Sequence, residues 1–189
     1  MGIRLPCTVL AIITALGCWA AAAQAKPTTK RTRKSSVPTA AQIRKAVASA
    51  ERSKDLWATV NVCQPKGKNA AKGGSLGVRG QMPTLGFAST LSMTIQLNRY
   101  SAKSKSFAAL PFATAKTTVS PGTFATDLHQ DGAVFPFTGP AGLLNATVTF
   151  SWTRAGKLLG STPRPTTAGH RDAAGGQPAH YSMAQCQLG

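Results

Sequence analysis

Acidic side chains are scarce in this chain: its 189 residues include 5 Asp and Glu against 22 Lys and Arg, a formal net charge of +17. So few carboxylates leave little material for a hard-cation cage or for acid–base chemistry. Histidine occurs at three positions only, 129, 170 and 180, and no GxSxG or other nucleophile motif accompanies them. Aromatic residues make up 6% and are not interleaved with the basic ones, so the stacking platforms of a nucleic-acid binder are missing. None of the four cysteines sits in a CxxC pair or at ligand spacing from a histidine, which argues against a thiolate metal site. The length excludes a multidomain enzyme. What is present is a 42% hydrophobic share, 18 Gly and 12 Pro among frequent Thr and Ser, the composition of one folded domain rich in strands and turns.

The first residues follow a different logic. Arg4 supplies a short positive start, residues 5–19 are apolar, and Ala23-Gln24-Ala25 is the small-x-small pattern that signal peptidase cuts. Residues 1–25 therefore read as a signal peptide, its apolar run too short for a membrane anchor, and the mature chain is expected to start at Lys26. The expected location is secreted or cell-envelope associated. A second reading places a lipid on Cys18, because Ala15-Leu16-Gly17-Cys18 is a loose lipoprotein cleavage site. Removing 25 residues leaves 164, and the loss of Arg4 leaves 21 basic residues against 5 acidic ones. Residues 26–54 carry nine of those cations with Glu51 alone against them. The run KPTTKRTRKSSVPT has almost nothing to bury, so 26–38 is expected to be a disordered basic linker. Lys26, Lys30, Arg31, Arg33 and Lys34 are the candidate contacts to an anionic cell-envelope polymer, and a solubilising spacer is the other reading.

Cys7 and Cys18 depart with the leader. Cys63 and Cys186 are then alone in an oxidising compartment and are predicted to form a disulfide.

Periodicity places a short helix over 39–55, with Thr39 as its cap, Gln42 completing a capping box, and Ile43, Ala46, Val47 and Ala50 on one side. Strands are predicted at 56–63, 76–83, 91–98 and 144–153. Shorter ones are expected at 106–110, 113–119, 124–128 and 133–137, with an Asp131-Gly132 turn before the last of these. Arg154-Ala155-Gly156-Lys157 reads as a hairpin turn returning through 157–161, and a final strand covers 180–188. Seven to nine such strands over 56–189 predict an antiparallel β-sandwich. One tension remains in the first strand, where Cys63 alternates with Trp57, Thr59 and Asn61 rather than with the apolar Leu56, Val60 and Val62. Either both faces of that strand are covered, with the helix as one cover, or a bulge turns Cys63 inward.

The segments LWATVNVC, LGVRGQMP, ATVTFSWTRAGKLL, TTAGHRDA and YSMAQC resemble those of small exported immunoglobulin-like β-sandwich proteins of high-GC Gram-positive bacteria, over roughly 56–189. That resemblance implies a fold and a compartment, and no activity or site comes with it. The pattern departs from antibody-type domains: Trp152 follows Cys63 by 89 residues, and Tyr181 precedes Cys186 by five where a tyrosine corner needs two.

Two function classes follow. The first is an exported non-catalytic binding or structural module, without cofactor or metal, that presents its loops to an extracellular protein or glycan. The alternative is a small secreted hydrolase or metal-binding protein using Asp127, His129, Asp131, His170 or His180. Asp127, His129 and Asp131 would share one face of an extended segment, and His170 has Asp172 beside it in sequence. Asn145-Ala146-Thr147 matches a glycosylation sequon but falls within a predicted strand.

Overall fold

The computed structural model describes residues 37–65, 74–138 and 140–188. The expected signal peptide, Cys18, and the arm residues Lys26, Lys30, Arg31, Arg33 and Lys34 lie outside the described residues. The helix α1 spans Ala40–Glu51. Its capping box forms as expected: Thr39 Oγ1 accepts from the Gln42 backbone N–H at 3.3 Å, and Gln42 Oε1 accepts from Thr39 N–H at 2.8 Å. A cap of this kind is worth about 1 kcal/mol. Ile43, Ala46, Val47 and Ala50 carry the apolar stripe into the core.

Among the described residues nine strands follow: β1 Trp57–Gln64, β2 Gly74–Pro83, β3 Ser89–Ser101, β4 Ser106–Ala109, β5 Lys116–Phe124, β6 Leu128–Phe137, β7 Gly142–Arg154, β8 Lys157–Pro165 and β9 Cys186–Leu188. They build two antiparallel sheets. The first has the order β1-β2-β6. In the second, β3 and β7 are the central pair; β4 and β5 share the outer edge of β3, and β8 and β9 share that of β7. Period-2 alternation sends Leu91, Met93, Ile95 and Leu97 of β3, and Leu144, Ala146, Val148, Phe150 and Trp152 of β7, to the same side. There they meet Val60, Leu76, Val78 and Met82 of the first sheet in one hydrophobic core. The approach is close at Gly80, where a Cβ would lie 2.9 Å from both Met93 Sδ and Phe150 Cε1. Trp152 keeps its polar handle satisfied, donating from Nε1 to Pro83 O at 2.8 Å.

Both halves of the tension in β1 are realised. Val60 pairs with Val78 but Val62 pairs with Gly77, so Asn61 is an extra residue and the alternation inverts there. Cys63 then stands opposite core-facing Leu76 and joins Cys186 across a Cα–Cα distance of 5.6 Å. The bond ties β1 of the first sheet to β9 of the second. Trp57, Thr59 and Asn61 remain on the outer face, yet all three are buried. Their cover is the segment 166–183, not the helix: it hydrogen-bonds along the free edge of β1 at Ala58, Val60 and Asn61, and from there brings His170 onto Trp57, Ser182 to Thr59 and Ala174 O to Asn61 Nδ2. The helix lies instead against β8, where a Cβ on Gly160 would come within 2.3 Å of Val47 Cγ1.

The middle of the chain corrects several expectations. Residues 113–115 form a 3-10 turn before β5 rather than the start of a strand. The strand expected at 124–128 is the bend that carries the chain from the second sheet to the first, with Asp127 in the left-handed region at φ 76°. Asp131-Gly132 is not a turn but the interior of β6, paired with Gly80 and Arg79. Gly132 is there because of close approach: a Cβ would lie 2.1 Å from Val78 O of β2. The final strand is only three residues long, because 166–183 is committed to covering β1. The hairpin at 154–157 forms as expected, with Ala155 at φ 48° and Gly156 at φ 76°.

Two stability outcomes follow. Reduction of Cys63–Cys186, which are separated by 123 positions, should release unfolded-state entropy equivalent to roughly 4 to 5 kcal/mol and lower the Tm markedly. Two reactive thiols in titration of the native protein would contradict the bond. Ala155 occupies a left-handed position that favours Asn, so Ala155→Asn should raise the urea midpoint by the equivalent of roughly 0.5 to 1 kcal/mol at unchanged m-value.

Candidate binding surface

The polar residues singled out in the sequence fall into two separate groups. Asp127 lies in the β5–β6 bend, and His129 and Asp131 lie in the first half of β6 that follows it. The His129 ring stacks on Phe124 at 3.7 Å between centroids, and its Nε2 is 3.0 Å from Thr126 O. Asp127 Oδ2 accepts from the Thr126 hydroxyl, and Asp131 Oδ1 accepts from the Gly132 backbone N–H. His170, Asp172 and His180 all belong to the cover over β1. His170 stacks on Trp57 at 4.4 Å with 12° between the rings, its Nε2 meets Thr167 Oγ1 at 2.9 Å, and its backbone N–H donates to Ser182 Oγ. His180 Nδ1 lies 3.0 Å from Arg171 O. Asp172 and His180 line one open depression together with Arg171. Among the described residues no three His, Cys, Asp or Glu side chains gather at metal-binding distance.

The cover is a hydrogen-bonded layer. Thr59 Oγ1 and Ser182 Oγ are 2.7 Å apart, Asn61 Nδ2 donates to Ala174 O, and Gln130 receives the Ala174 N–H at Oε1 while donating from Nε2 to Asp172 O. Three polar outer-face residues of β1 and β6 thus hold the loop that buries them. Burial lowers the His170 pKa below its usual 6.5, with Asp172 pulling the other way, and burial raises that of Tyr181.

The outer face of the second sheet has a different character. Antiparallel register lines up Thr90 with Thr153, Ser92 with Ser151, Thr94 with Thr149, and Gln96 with Thr147 across β3 and β7. On the β5 side Thr123, Thr118 and Lys116 extend those rows, and on the β8 side Ser161 and Pro163 do so. Hydroxyls bond along the rows, Thr90 to Thr123 at 2.7 Å, Thr94 to Thr118 at 2.8 Å and Ser151 to Ser161 at 3.0 Å. In a chain of net charge +17, these rows carry a single ionic group, Lys116.

At the Lys116 corner stands Phe112, 62% exposed. It is held out on a braced ledge. Gln96 Nε2 donates to Leu97 O at 2.9 Å and to Leu110 O at 3.1 Å, Leu110 N donates to Leu97 O, and the 3-10 turn closes through Ala115 N to Phe112 O. Two depressions flank the ring and share Leu110 and Phe112 as walls. The larger, about 850 Å³, opens toward Gln96, Lys116, Thr117 and Thr118; the smaller, about 280 Å³, is lined by Leu97, Ala115, Pro136 and Phe137. Sequence reading missed this corner. The alternating Ser, Thr and Gln of β3 and β7 were visible, but Pro111-Phe112 lay in a stretch without clear periodicity, and nothing local says which strand it flanks.

No protein-family model, curated protein or solved structure matches the chain. The geometry of these two regions therefore carries the functional argument.

The Trp57–His170 stack generates a pH dependence with a defined sign. Above pH 6.5 the ring is neutral in both folded and unfolded chains; below it the unfolded chain takes up a proton that the folded one resists. Stability should therefore fall as pH drops from 6.5 through the lowered folded value, and Trp57 emission should report loosening of the cover over the same window. In His170→Gln this pH slope should flatten; an unchanged slope would assign the titration to another group.

Proposed function

We propose that the chain is an exported, non-catalytic binding or structural module of the cell envelope or extracellular space, an immunoglobulin-like β-sandwich akin to the small exported proteins of high-GC Gram-positive bacteria that its segments resemble. The observation that carries this reading is how the polar side chains are used. His129 and His170 each lie face-on to an aromatic ring, Asp127 accepts from the Thr126 hydroxyl in the bend before β6, and Asp131 accepts from the Gly132 backbone N–H within β6. These contacts hold the fold, whereas a catalytic imidazole needs a ring nitrogen aimed at a reacting group. The second sheet instead presents an ordered, hydroxyl-lined outer face, a binding chemistry rather than a reaction.

Support for export comes from the leader pattern of residues 1–25 and from the Cys63–Cys186 bond, which persists in oxidising compartments. Among the described residues no helix is long and apolar enough to cross a membrane. In this reading Lys26, Lys30, Arg31, Arg33 and Lys34 form an electrostatic tether to anionic envelope polymers, leaving the sandwich free to engage a second partner.

The tether has a direct test. Binding of the mature chain to an anionic polymer such as a teichoic acid should weaken steeply with salt, and deletion of 26–38 should reduce it while leaving the Tm unchanged. Retention of full binding after the deletion would make the arm a spacer.

A further inference from the structure

The Phe112 corner invites a specific ligand class. We propose that it binds a polysaccharide chain, one pyranose ring packing on the exposed face of Phe112 and its hydroxyls meeting Gln96, Lys116 and Thr118; this rests on the binding-module reading above and names its ligand. A pyranose is amphipathic, with a face of C–H groups and a rim of hydroxyls, so it needs an apolar plate flanked by donors and acceptors. The corner offers that combination. Phe112 is 62% exposed, and the depression beside it is lined on its polar side by an amide, an ammonium and two hydroxyls. The three donor hydrogen bonds that Gln96 makes, to Leu97, Leu110 and Ala115, all run through Nε2, so none of them uses its carbonyl oxygen, which is the acceptor proposed for a ligand hydroxyl.

The ledge is also pre-ordered. Pro111 restricts the backbone before Phe112, and the turn is bonded at Leu110 and at Ala115 to either side, so little conformational freedom is lost when a ring docks. Beyond the corner, the Thr94–Thr149 and Gln96–Thr147 rows lead onto an uncharged hydroxyl surface along which further sugar units can lie. Other ligands fit less well. A nucleic acid needs several phosphate contacts, and these rows bring one cation. A lipid chain needs a deep enclosed apolar cavity, and the apolar depression holds only about 280 Å³. The near absence of charge in a chain of net charge +17 favours a neutral polymer here, with anionic polymers left to the arm.

The experiment uses the full mature chain with chitohexaose and cellohexaose as neutral probes and polygalacturonate as the acidic one, in about 1 M salt, where the Debye length is about 3 Å and arm contacts are screened. We expect at least one neutral probe to bind, Phe112→Ala to weaken it by about tenfold or more at unchanged Tm, and Phe112→Trp to retain it with a blue shift of Trp emission on titration. Saturable binding by polygalacturonate alone, lost in Lys116→Ala, would overturn the neutral assignment. Failure of all three probes to bind, or binding that survives Phe112→Ala, would overturn the site. If either failure came with salt-sensitive binding through the arm intact, the module reading would stand without this ligand; loss of both would remove it too.

Discussion

The extra residue at Asn61 is the constraint on which the rest of the fold depends. In an uninterrupted strand, Cys63 would alternate with Trp57 and Thr59 and point away from the second sheet, out of reach of Cys186. The bulge inverts the alternation after Val60, so that Cys63 stands opposite Leu76 and the cross-link runs through the core side. Because β9 pairs with the far end of β7, that single bond holds the C-terminus onto the second sheet and the second sheet onto the first. The closed loop spans most of the folded chain, where chain-entropy stabilisation is greatest.

Anchoring Cys186 has a second consequence. The chain must travel from the end of β8 back to β9, and it does so across the outer face of β1, where Thr59, Asn61 and Trp57 receive it. A strand that looks half-polar is thereby buried on both faces, with the Thr59 hydroxyl and the Asn61 amide nitrogen bonded to the loop. The same passage accounts for His170, Asp172 and His180 lying on one segment: they are the surface of a cover whose underside is fixed by hydrogen bonds.

The two sheets divide the labour. The first has its outer face at β1 spent on the C-terminal cover, while the second keeps an ordered outer face of Thr and Ser rows ending at a braced aromatic. Thr suits such a face on conformational grounds alone, since β-branching favours the extended backbone. Its hydroxyl then makes the face a source of donors and acceptors at strand spacing, and the charge is concentrated elsewhere on the chain.

Local chemistry was legible in the sequence wherever a few adjacent residues decide the outcome. The capping box of Thr39 and Gln42, the alternation of 91–97 and 144–152, the turn at Ala155-Gly156 and the pairing of two remaining cysteines each follow from spacing, backbone preference or elimination, and each formed. The region 101–140 was legible only in part, because Gly, Pro and Asp there do more than one thing. Asp131-Gly132 has the composition of a turn, yet pairing with β2 across a gap too narrow for a Cβ made it strand. The candidate surface is less legible still. Phe112 is 16 residues from Gln96, and His129 and His170 met Phe124 and Trp57 rather than each other, outcomes set by strand register and by the route of the C-terminal segment. Hydrophobic period and turn propensity act over a few residues and so are written in the sequence by itself; which faces are covered, which side chains converge and where an aromatic is left exposed depend on contacts between distant segments, and these exist only once the two sheets have closed on one another.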